Sequence, residues 1–394
     1  MALTPHRRSL AFVTVAFVSF GLGVAAQRYY DGVRAQRSTA TLAPVAAPGV
    51  DFAAEPLWAY GFATVRQPDE IAAPQGPPSR RLRPNEPADE QTRPRTVAGS
   101  QAQYSLLDIR DNANVVDWFP GDHPTPMPEI ITHGPAALGD RRWGCGSCHL
   151  PNGMGRPENA PAGGLPAGYL LRQLQDFRSG RRRTADPRKP NTNTMIALAR
   201  GMTEQEMREA ADYFSAVPYV GRIRIVESDL VPPTRIVNNL FLPTSAERTE
   251  PIAGRIIEVP EDESQTELLR NPHVGFVAYV PPGSLEKGKD LVTTGGMTVV
   301  GNTIMQGRTT ACLTCHGLDL MGVAEVPPIA GRSASYIARQ MWDIQQGTRN
   351  GEAVQLMKMA IARLTTDDIT AIAAYVASRP TVRTEPADLR ASRD

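Results

Sequence analysis

All four cysteines of the chain lie in two copies of one short motif, Cys-x-x-Cys-His. The first copy is CGSCH at residues 145–149, and the second is CLTCH at residues 312–316. Each copy holds two thiols three positions apart and a histidine directly after the second thiol. The chain must therefore bring two thiols and an imidazole together at two places, and this requirement constrains its fold more than its composition does.

The sequence around the cysteines is repeated as well. Residues 168–182 match residues 335–349 at the same offset of 167 that relates the two motifs; their sequences are GYLLRQLQDFRSGRR and SYIARQMWDIQQGTR. Residues 202–214 match residues 364–376 at an offset of 162, with the sequences MTEQEMREAADYF and LTTDDITAIAAYV. An offset held across motifs and neighbouring segments indicates two copies of one folding unit.

The matched segments predict amphipathic helices, because their apolar residues recur with helical spacing. Thr203 and Thr365 are predicted N-caps, and each is followed three residues later by an acid, Glu206 or Asp368. Met207, Ala211 and Phe214 are then expected to face inward, as are Ile369, Ala373 and Val376. The fold is therefore expected to be mainly α.

Residues 221–283, between the two copies, differ in character. The runs RIRIVES, RIVNNLFLP, GRIIEVP and GFVAYVP are rich in β-branched residues and are broken by Pro, Gly and Asn. This pattern predicts a small antiparallel β insert. MTVVGNTIM, at residues 297–305, predicts a further hairpin just before the second motif.

The N-terminus carries an export signal. Arg7 and Arg8 precede an apolar run at residues 10–26. Basic residues stay on the cytoplasmic side, so the remainder is expected to be exported. The run is at the short limit for a spanning helix, and Val24-Ala25-Ala26 equally fits a cleavage site. A retained membrane anchor and a cleaved signal peptide both stay open, and either places the folded part on the periplasmic side of a bacterial inner membrane.

Cys-x-x-Cys-His is the attachment motif of c-type haem, in which two thiols bond to two vinyl groups and the histidine becomes an iron ligand. No thioredoxin-like βαβ pattern supports a redox disulfide, and a closed zinc site needs four ligands. A structural disulfide is possible in an exported protein. Two motif copies, an export signal and a repeat favour two covalently attached haem c groups, at Cys145, Cys148 and His149 and at Cys312, Cys315 and His316.

The chain resembles class I cytochromes c, in particular two-haem proteins of the cytochrome c4 type. The resemblance covers residues 130–220 and 284–380, and it is carried by CGSCH, CLTCH, the RQL and RQM helices and the helices ending DYF and AYV. The long linker and the β insert depart from that pattern. The resemblance and the composition of the other segments together predict the following division: a signal anchor or signal peptide at 1–26, a Pro/Ala-rich linker at 27–100, the first haem c domain at 101–220, the β-rich insert at 221–283, the second haem c domain at 284–380 and a tail at 381–394.

The resemblance also implies a methionine as the sixth iron ligand. Met195 and Met357 match at the offset of 162 and are the predicted axial ligands. Met154 and Met321 match too, but each lies only five residues after a motif histidine, on the proximal side. In this family a proline carbonyl accepts a hydrogen bond from Nδ1 of the proximal histidine, and the matched prolines Pro161 and Pro328 are assigned to that role.

His/Met ligation fills the coordination sphere of the iron, which favours an electron carrier over an enzyme. The expected partners are a donor dehydrogenase or respiratory complex and an acceptor oxidase or small cytochrome, with the membrane as a further partner if the N-terminal helix is retained. The net charge of +1 gives no reason to expect nucleic acid. Opposite charges at residues 178–189 (basic) and 247–270 (acidic) suggest the hypothesis that two surface patches orient different partners.

Two enzymatic alternatives remain. A cytochrome subunit of a periplasmic dehydrogenase would use the same carrier chemistry. A two-haem peroxidase would keep one haem open or histidine-ligated, and the matched methionines disfavour it. The unassigned histidines are His6, His123, His133 and His273. His6 lies on the cytoplasmic side of the export segment, and the other three are expected to be surface or loop residues. Two-haem thiosulfate dehydrogenases use a cysteine as an axial ligand, and no cysteine is spare here.

Overall fold

A computed structural model describes residues 82, 86–186, 189–237 and 239–381 of the chain. All of these belong to one structural unit that runs from Asp51 to Asp394. The predicted export segment, nearly all of the predicted linker before residue 86 and most of the C-terminal tail lie outside the described residues. Among the residues described, no helix is both long enough and apolar enough to cross a membrane.

The described part of the chain is mainly helical. In chain order its α-helices are α1 (Ala88–Thr92), α2 (Leu106–Ile109), α3 (Glu129–Thr132), α4 (Gly146–His149), α5 (Ala167–Ser179), α6 (Pro190–Gly201), α7 (Glu204–Ala216), α8 (Ser284–Thr294), α9 (Leu313–His316), α10 (Ala334–Gln345), α11 (Gln355–Ile361) and α12 (Thr366–Ala377). The strands are β1 (Ile223–Glu227), β2 (Leu230–Val231), β3 (Thr234–Val237), β4 (Leu240–Pro243), β5 (Glu250–Pro251), β6 (Ile257–Pro260), β7 (Phe276–Val280), β8 (Thr298–Val300) and β9 (Thr303–Met305).

The first half packs α5 and α7 around one apolar core. α5 ends at Gly180, whose φ of 76° lies in the left-handed region that favours glycine. α7 begins at a complete capping box between Thr203 and Glu206. Met207 and Phe214 are buried in the core together with Ile130 and Ile131. The predicted N-cap at Thr203 and the inward-facing residues of α7 are confirmed.

The second half repeats this arrangement with α10 and α12. α12 begins at a capping box between Thr365 and Asp368, so the predicted near-match is a complete box. Ile369, Ala373 and Val376 are fully buried. α8 lies so close to α12 that a Cβ on Gly288 would fall 2.0 Å from the carbonyl oxygen of Ala371. Only glycine fits this helix crossing, because any side chain would collide with main chain that cannot move aside.

The β insert contains the predicted strands, with one difference in topology. A three-stranded sheet has the order β1-β7-β6, in which β6 runs antiparallel to β7 but β1 runs parallel to it. The strand pairs β2–β5, β3–β4 and β8–β9 are antiparallel. A parallel pair needs a long connection instead of a tight turn, and the segment between β1 and β7 supplies one. The β-branched runs predict where the strands lie, but not whether β1 runs parallel or antiparallel to β7.

The insert packs against both halves. Ile256, Ala278 and Val280 belong to the same apolar core as α10 and α12. On the other side, the indole N–H of Trp118 donates to the carbonyl oxygen of Leu269 at 2.8 Å, and both residues are buried in one cluster with Val97 and the α2 residues Leu106 and Ile109. The insert therefore holds the segment before the first motif and the second helical core in place.

Glu258 on β6 fixes the start of α10. Its buried carboxylate accepts hydrogen bonds from Ser333 Oγ at 2.8 Å and from Ser335 Oγ and the Ser335 N–H at 2.7 and 3.0 Å. Burial raises the pKa of Glu258, and these hydrogen bonds oppose that rise. The insert thus supplies the acceptor that the first turn of α10 requires.

Asp368 should make the second half sensitive to acid. Its buried carboxylate accepts hydrogen bonds from the Thr365 N–H and Arg308 at 2.9 Å and pairs with Lys287 at 2.6 Å. Burial opposes ionisation, but these contacts outweigh it and lower the pKa of Asp368 from 3.8 to about 2. A lowered folded-state pKa stabilises the protein at pH values above the unfolded-state pKa, and that stabilisation is lost as the pH falls through about 2.

We therefore expect Asp368→Asn to be less stable than the natural chain near neutral pH. The difference should shrink as the pH is lowered from about 4 to about 2. Urea unfolding of the haem-loaded protein across this pH range measures it. Asp367→Asn is the matched control, because that side chain also pairs with Lys287 but is 72 % exposed and should contribute little. A difference that stays constant with pH would contradict the assignment.

Candidate haem sites

Both motifs form a single helical turn. Cys145 directly precedes α4, and Cys312 directly precedes α9. Residues three and four positions apart lie on one face of a helix. The turn therefore presents two sulfur atoms and an imidazole on the same side, which is the arrangement that covalent haem attachment requires.

Each motif histidine is fixed by a main-chain carbonyl. Nδ1 of His149 lies 2.7 Å from the Ala160 oxygen, and Nδ1 of His316 lies 2.9 Å from the Pro327 oxygen. A carbonyl oxygen can only accept, so Nδ1 carries the proton and Nε2 keeps its lone pair for a metal. Burial lowers the pKa of both histidines, which favours the neutral ring that binds iron.

The assignment of Pro161 and Pro328 as the residues whose carbonyls accept from these histidines is wrong by one residue. In both halves the accepting carbonyl belongs to the residue eleven positions after the histidine, and this is the residue before the matched proline. Position 160 is an alanine, so the contact depends on the main chain and not on a proline ring. The carbonyls of Pro161 and Pro328 accept hydrogen bonds from Arg332 instead.

The first cysteine of each motif is a neutral thiol at neutral pH. Burial raises the pKa of Cys145 to about 12 and that of Cys312 to about 11. A redox-active cysteine pair or a zinc centre uses thiolates with lowered pKa values. Among the described residues, no group of three or more His, Cys, Asp or Glu side chains could hold a metal ion.

The structure brings each predicted axial methionine into the same apolar cluster as a motif cysteine. Met195 on α6 is half-buried and packs in the cluster that includes Cys145. Met357 on α11 is half-buried and packs in the cluster that includes Cys312. Met359, two residues further on, is 68 % exposed. Met321 also packs in the second cluster, so the choice of Met357 rests on the repeat as well as on packing.

A cluster of arginine and glutamine side chains joins the two halves. The main chains of Arg182 and Arg349 pair as an antiparallel bridge. Arg182 donates to Gln173 at 3.0 Å and to Gln340 at 2.9 Å, while Arg349 donates to the same two glutamines at 3.0 and 2.9 Å. Both arginines and both glutamines are related by the offset of 167. The sequence repeat already pairs these residues, but their contact across the halves was not predicted from it.

The cluster is electropositive and has donors to spare. Burial alone would raise the pKa of Tyr169, but the charges of Arg349 and Arg182 outweigh it and lower that pKa. Nε of Arg349 and Nε2 of Gln173 are buried and have no partner among the described residues. Haem carries two carboxylates, which such donors bind well. This cluster therefore fits haem. The side chains that would bind its carboxylates are those of Arg182, Arg349, Gln173 and Tyr169.

This cluster also corrects the hypothesis of a basic surface patch at residues 178–189. Arg182 is buried between the two halves, and Lys189 is buried with its Nζ donating to the carbonyl oxygen of Glu158 at 2.9 Å. Arg178 donates to the carbonyl oxygens of Ala199 and Met202 at 3.2 and 2.7 Å. Arg178, Arg182 and Lys189 therefore bind within the protein, whereas Arg181 and Arg183 are exposed.

The β insert reaches the first motif directly. Nη1 of Arg270 donates to the carbonyl oxygen of Ser147, between the two cysteines, at 3.2 Å and to Asn112 at 3.3 Å. Arg270 has a φ of 51°, which is rare for a residue with a side chain. Nearby, Arg156 contacts Glu267 of the insert at 3.4 Å. The first motif is therefore covered by a segment that does not belong to the repeat.

One of the three unassigned histidines in the described residues is not a surface residue. His123 is buried, with Nε2 3.2 Å from Asp117 and Nδ1 3.1 Å from the carbonyl oxygen of Pro124. His273 is exposed, stacks on Phe119 and pairs with Asp122 at 2.6 Å. His133 is half-buried beside Thr132. His123 lies in a loop, as expected, but is buried there, because a carboxylate partner allows a histidine to be buried.

Comparison with known proteins agrees with this arrangement. The cytochrome c family model matches the chain twice, at residues 136–217 and 299–380. Cytochrome c4 of Pseudomonas aeruginosa is 23 % identical over 62 % of this chain and 88 % of that protein. A thiosulfate dehydrogenase electron acceptor of Stutzerimonas stutzeri is 27 % identical over 64 % of this chain and 84 % of that protein. Cytochrome c-554(548) of Halomonas halodenitrificans is 36 % identical over 17 % of this chain and 83 % of that protein.

Two solved structures are also similar. A thiosulfate dehydrogenase from Marichromatium purpuratum aligns with a TM-score of 0.39 at 23 % identity, over 62 % of this chain and 38 % of that one. Reduced cytochrome c4 from Pseudomonas stutzeri aligns with a TM-score of 0.37 at 21 % identity, over 60 % of this chain and 93 % of that one. With two family matches, two attachment motifs and two fixed histidines, the chain belongs to the cytochrome c family as a two-haem, electron-transferring protein of the cytochrome c4 type.

Proposed function

We propose that the chain passes electrons between redox proteins outside the cytoplasm, with His149 and Met195 as the axial ligands of one haem and His316 and Met357 as those of the other. The observation that carries the proposal is the repeated histidine geometry, in which a main-chain carbonyl orients each buried ring. When bound, haem supplies an iron that changes by one electron. The apolar clusters exclude water, and a filled ligand set changes little on reduction.

The division of the chain is part of the proposal. The first haem domain is placed at residues 101–220, the β insert at 221–283 and the second haem domain at 284–380. The two family matches lie within the two haem domains, which supports these limits. The N-terminal segment is proposed to direct export, whether it is retained or cleaved.

The experiment that tests the ligand assignment is optical spectroscopy of the haem-loaded chain, ferric and then reduced, with carbon monoxide added. Two filled coordination spheres predict two low-spin haems, a methionine–iron charge-transfer band and no change on adding carbon monoxide. A high-spin fraction that binds carbon monoxide would mean that one haem is open. That outcome would overturn the carrier assignment and favour the peroxidase-type alternative.

The proposed electron donor is a dehydrogenase that acts outside the cytoplasm, and the proposed acceptor is an oxidase or a small cytochrome. Two relatives are named thiosulfate dehydrogenase electron acceptor, which supports this class of donor. The same preparation can be mixed with a thiosulfate dehydrogenase and thiosulfate, and its haem absorbance followed. Rapid reduction supports the donor; no reduction, in a sample that dithionite reduces fully, rejects that donor.

A further inference from the structure

Arg332 is one of the most deeply buried charged residues in the described part of the chain. Its side chain is 2 % exposed, and it lies in the second half between Gly331 and the start of α10. The equivalent position in the first half, at the offset of 167, is Leu165. The repeat therefore does not require an arginine here, and the role of Arg332 is specific to one half.

The guanidinium of Arg332 joins the two halves through three main-chain carbonyls. Nε donates to the oxygen of Pro328 in its own half at 2.8 Å. Nη1 and Nη2 donate to the oxygens of Pro161 and Gly163 in the first half, at 2.6 and 3.0 Å. A planar guanidinium holds such acceptors in fixed directions, so these contacts fix the two carbonyl-bearing loops relative to each other.

Two of these carbonyls stand next to the acceptors of the motif histidines. Pro161 directly follows Ala160, which accepts from His149, and Pro328 directly follows Pro327, which accepts from His316. A continuous series of covalent and hydrogen bonds therefore connects the two imidazoles. In order, it runs through His149, Ala160, Pro161, Arg332, Pro328, Pro327 and His316.

The charge of Arg332 is not neutralised by a carboxylate among the described residues. Its contacts are the three carbonyls and the ring of Tyr219, whose centroid lies 4.2 Å from the guanidinium carbon. The Tyr219 hydroxyl donates back across the interface to the carbonyl oxygen of Gly331 at 3.0 Å. A buried positive charge near two iron sites favours their reduced forms, which carry one positive charge less.

We propose that Arg332 is a positioning residue that couples the two haem sites, by holding the bonded path between His149 and His316 and by keeping both sites easily reduced. During exchange one electron leaves the reduced half and enters the oxidised half. No bond is formed or broken, and no proton moves. The inference rests on the proposed function, because it takes both histidines as iron ligands.

The test compares Arg332→Gln with the natural chain in two measurements. Spectropotentiometric titration gives the two reduction potentials, and partial reduction by pulse radiolysis gives the rate at which an electron moves between the halves. We expect both potentials to fall, because a buried positive charge is lost, and the rate to drop by about ten- to hundredfold, because the bonded path between the two imidazoles is broken. Arg332→Lys keeps the charge without the planar fork, so the potentials should recover and the rate should stay low.

Arg172→Gln is the matched control. Arg172 also pairs across the two halves, with Glu325 at 2.9 Å, but both side chains are exposed and neither contacts the histidine path. Its rate and potentials should match those of the natural chain. Tyr219→Phe removes only the return hydrogen bond to Gly331 and should slow exchange less than Arg332→Gln, so it gives a second test if the glutamine variant does not load haem.

The outcomes separate this inference from the proposed function. Low-spin spectra without carbon monoxide binding, in the natural chain and in the variants, show that the ligand sets are intact. An Arg332→Gln protein with such spectra but with unchanged rate and potentials would overturn the role of Arg332 alone. If the natural chain itself binds carbon monoxide, the assignment of Met195 and Met357 as axial ligands is wrong, and the proposed function fails independently of Arg332.

Discussion

A chain in which Cys312 and Cys315 are both replaced by alanine is expected to carry one covalent haem instead of two. The first motif should still be loaded, because it has its own histidine, apolar cluster and cover from the insert. The second half should lose more than its cofactor, since Cys312 packs against the core formed by α10 and α12. Its helices should exchange amide hydrogens faster than those of the first half.

Intact mass under denaturing conditions measures this directly, because thioether-bound haem stays with the chain. The reciprocal control replaces Cys145 and Cys148 and should retain the second haem. Hydrogen exchange should then be faster in the first half. A mass showing two haems in either double variant would refute the assignment of one haem to each motif.

Met195→Leu is expected to convert one of the two haems from low-spin to high-spin. Leucine conserves the volume of the apolar cluster but offers no sulfur to the iron. The methionine–iron charge-transfer band should fall by about half, the affected site should bind carbon monoxide and its potential should drop. Met357→Leu should give the same result in the second half.

Two other methionines serve as controls for this prediction. Met202→Leu alters a buried core residue near the end of α6, and Met359→Leu alters an exposed residue two positions from Met357. Both proteins should keep the full band and bind no carbon monoxide. If Met195→Leu also keeps the full band, another side chain ligates the first haem.

The features that sequence analysis predicted are those that local patterns determine. The two attachment turns need only the spacing of Cys145, Cys148 and His149 and of its repeat. The capping boxes at Thr203 and Thr365 follow from residues three positions apart. Helical periodicity then identifies the inward faces of α7 and α12.

The features that it missed depend on how the halves meet. A run containing Arg181, Arg182 and Arg183 is typical of a solvated loop, because charged side chains are seldom buried. Here the second half supplies Gln340, a half-buried side chain, as a partner for Arg182. The predicted carbonyl acceptor of each histidine was wrong by one residue for a related reason. Every residue type has a main-chain carbonyl, so the sequence does not identify which one accepts.

Arg270 gives the two haem sites a difference that the duplication does not contain. Two copies of one unit would otherwise supply nearly equal sites, and any change in the shared pattern would tend to affect both. Because Arg270 comes from the insert and contacts the carbonyl between the first pair of cysteines, one site can be adjusted by mutations outside the repeat. The insert thus makes the two members of a duplicated pair separately adjustable without altering either motif.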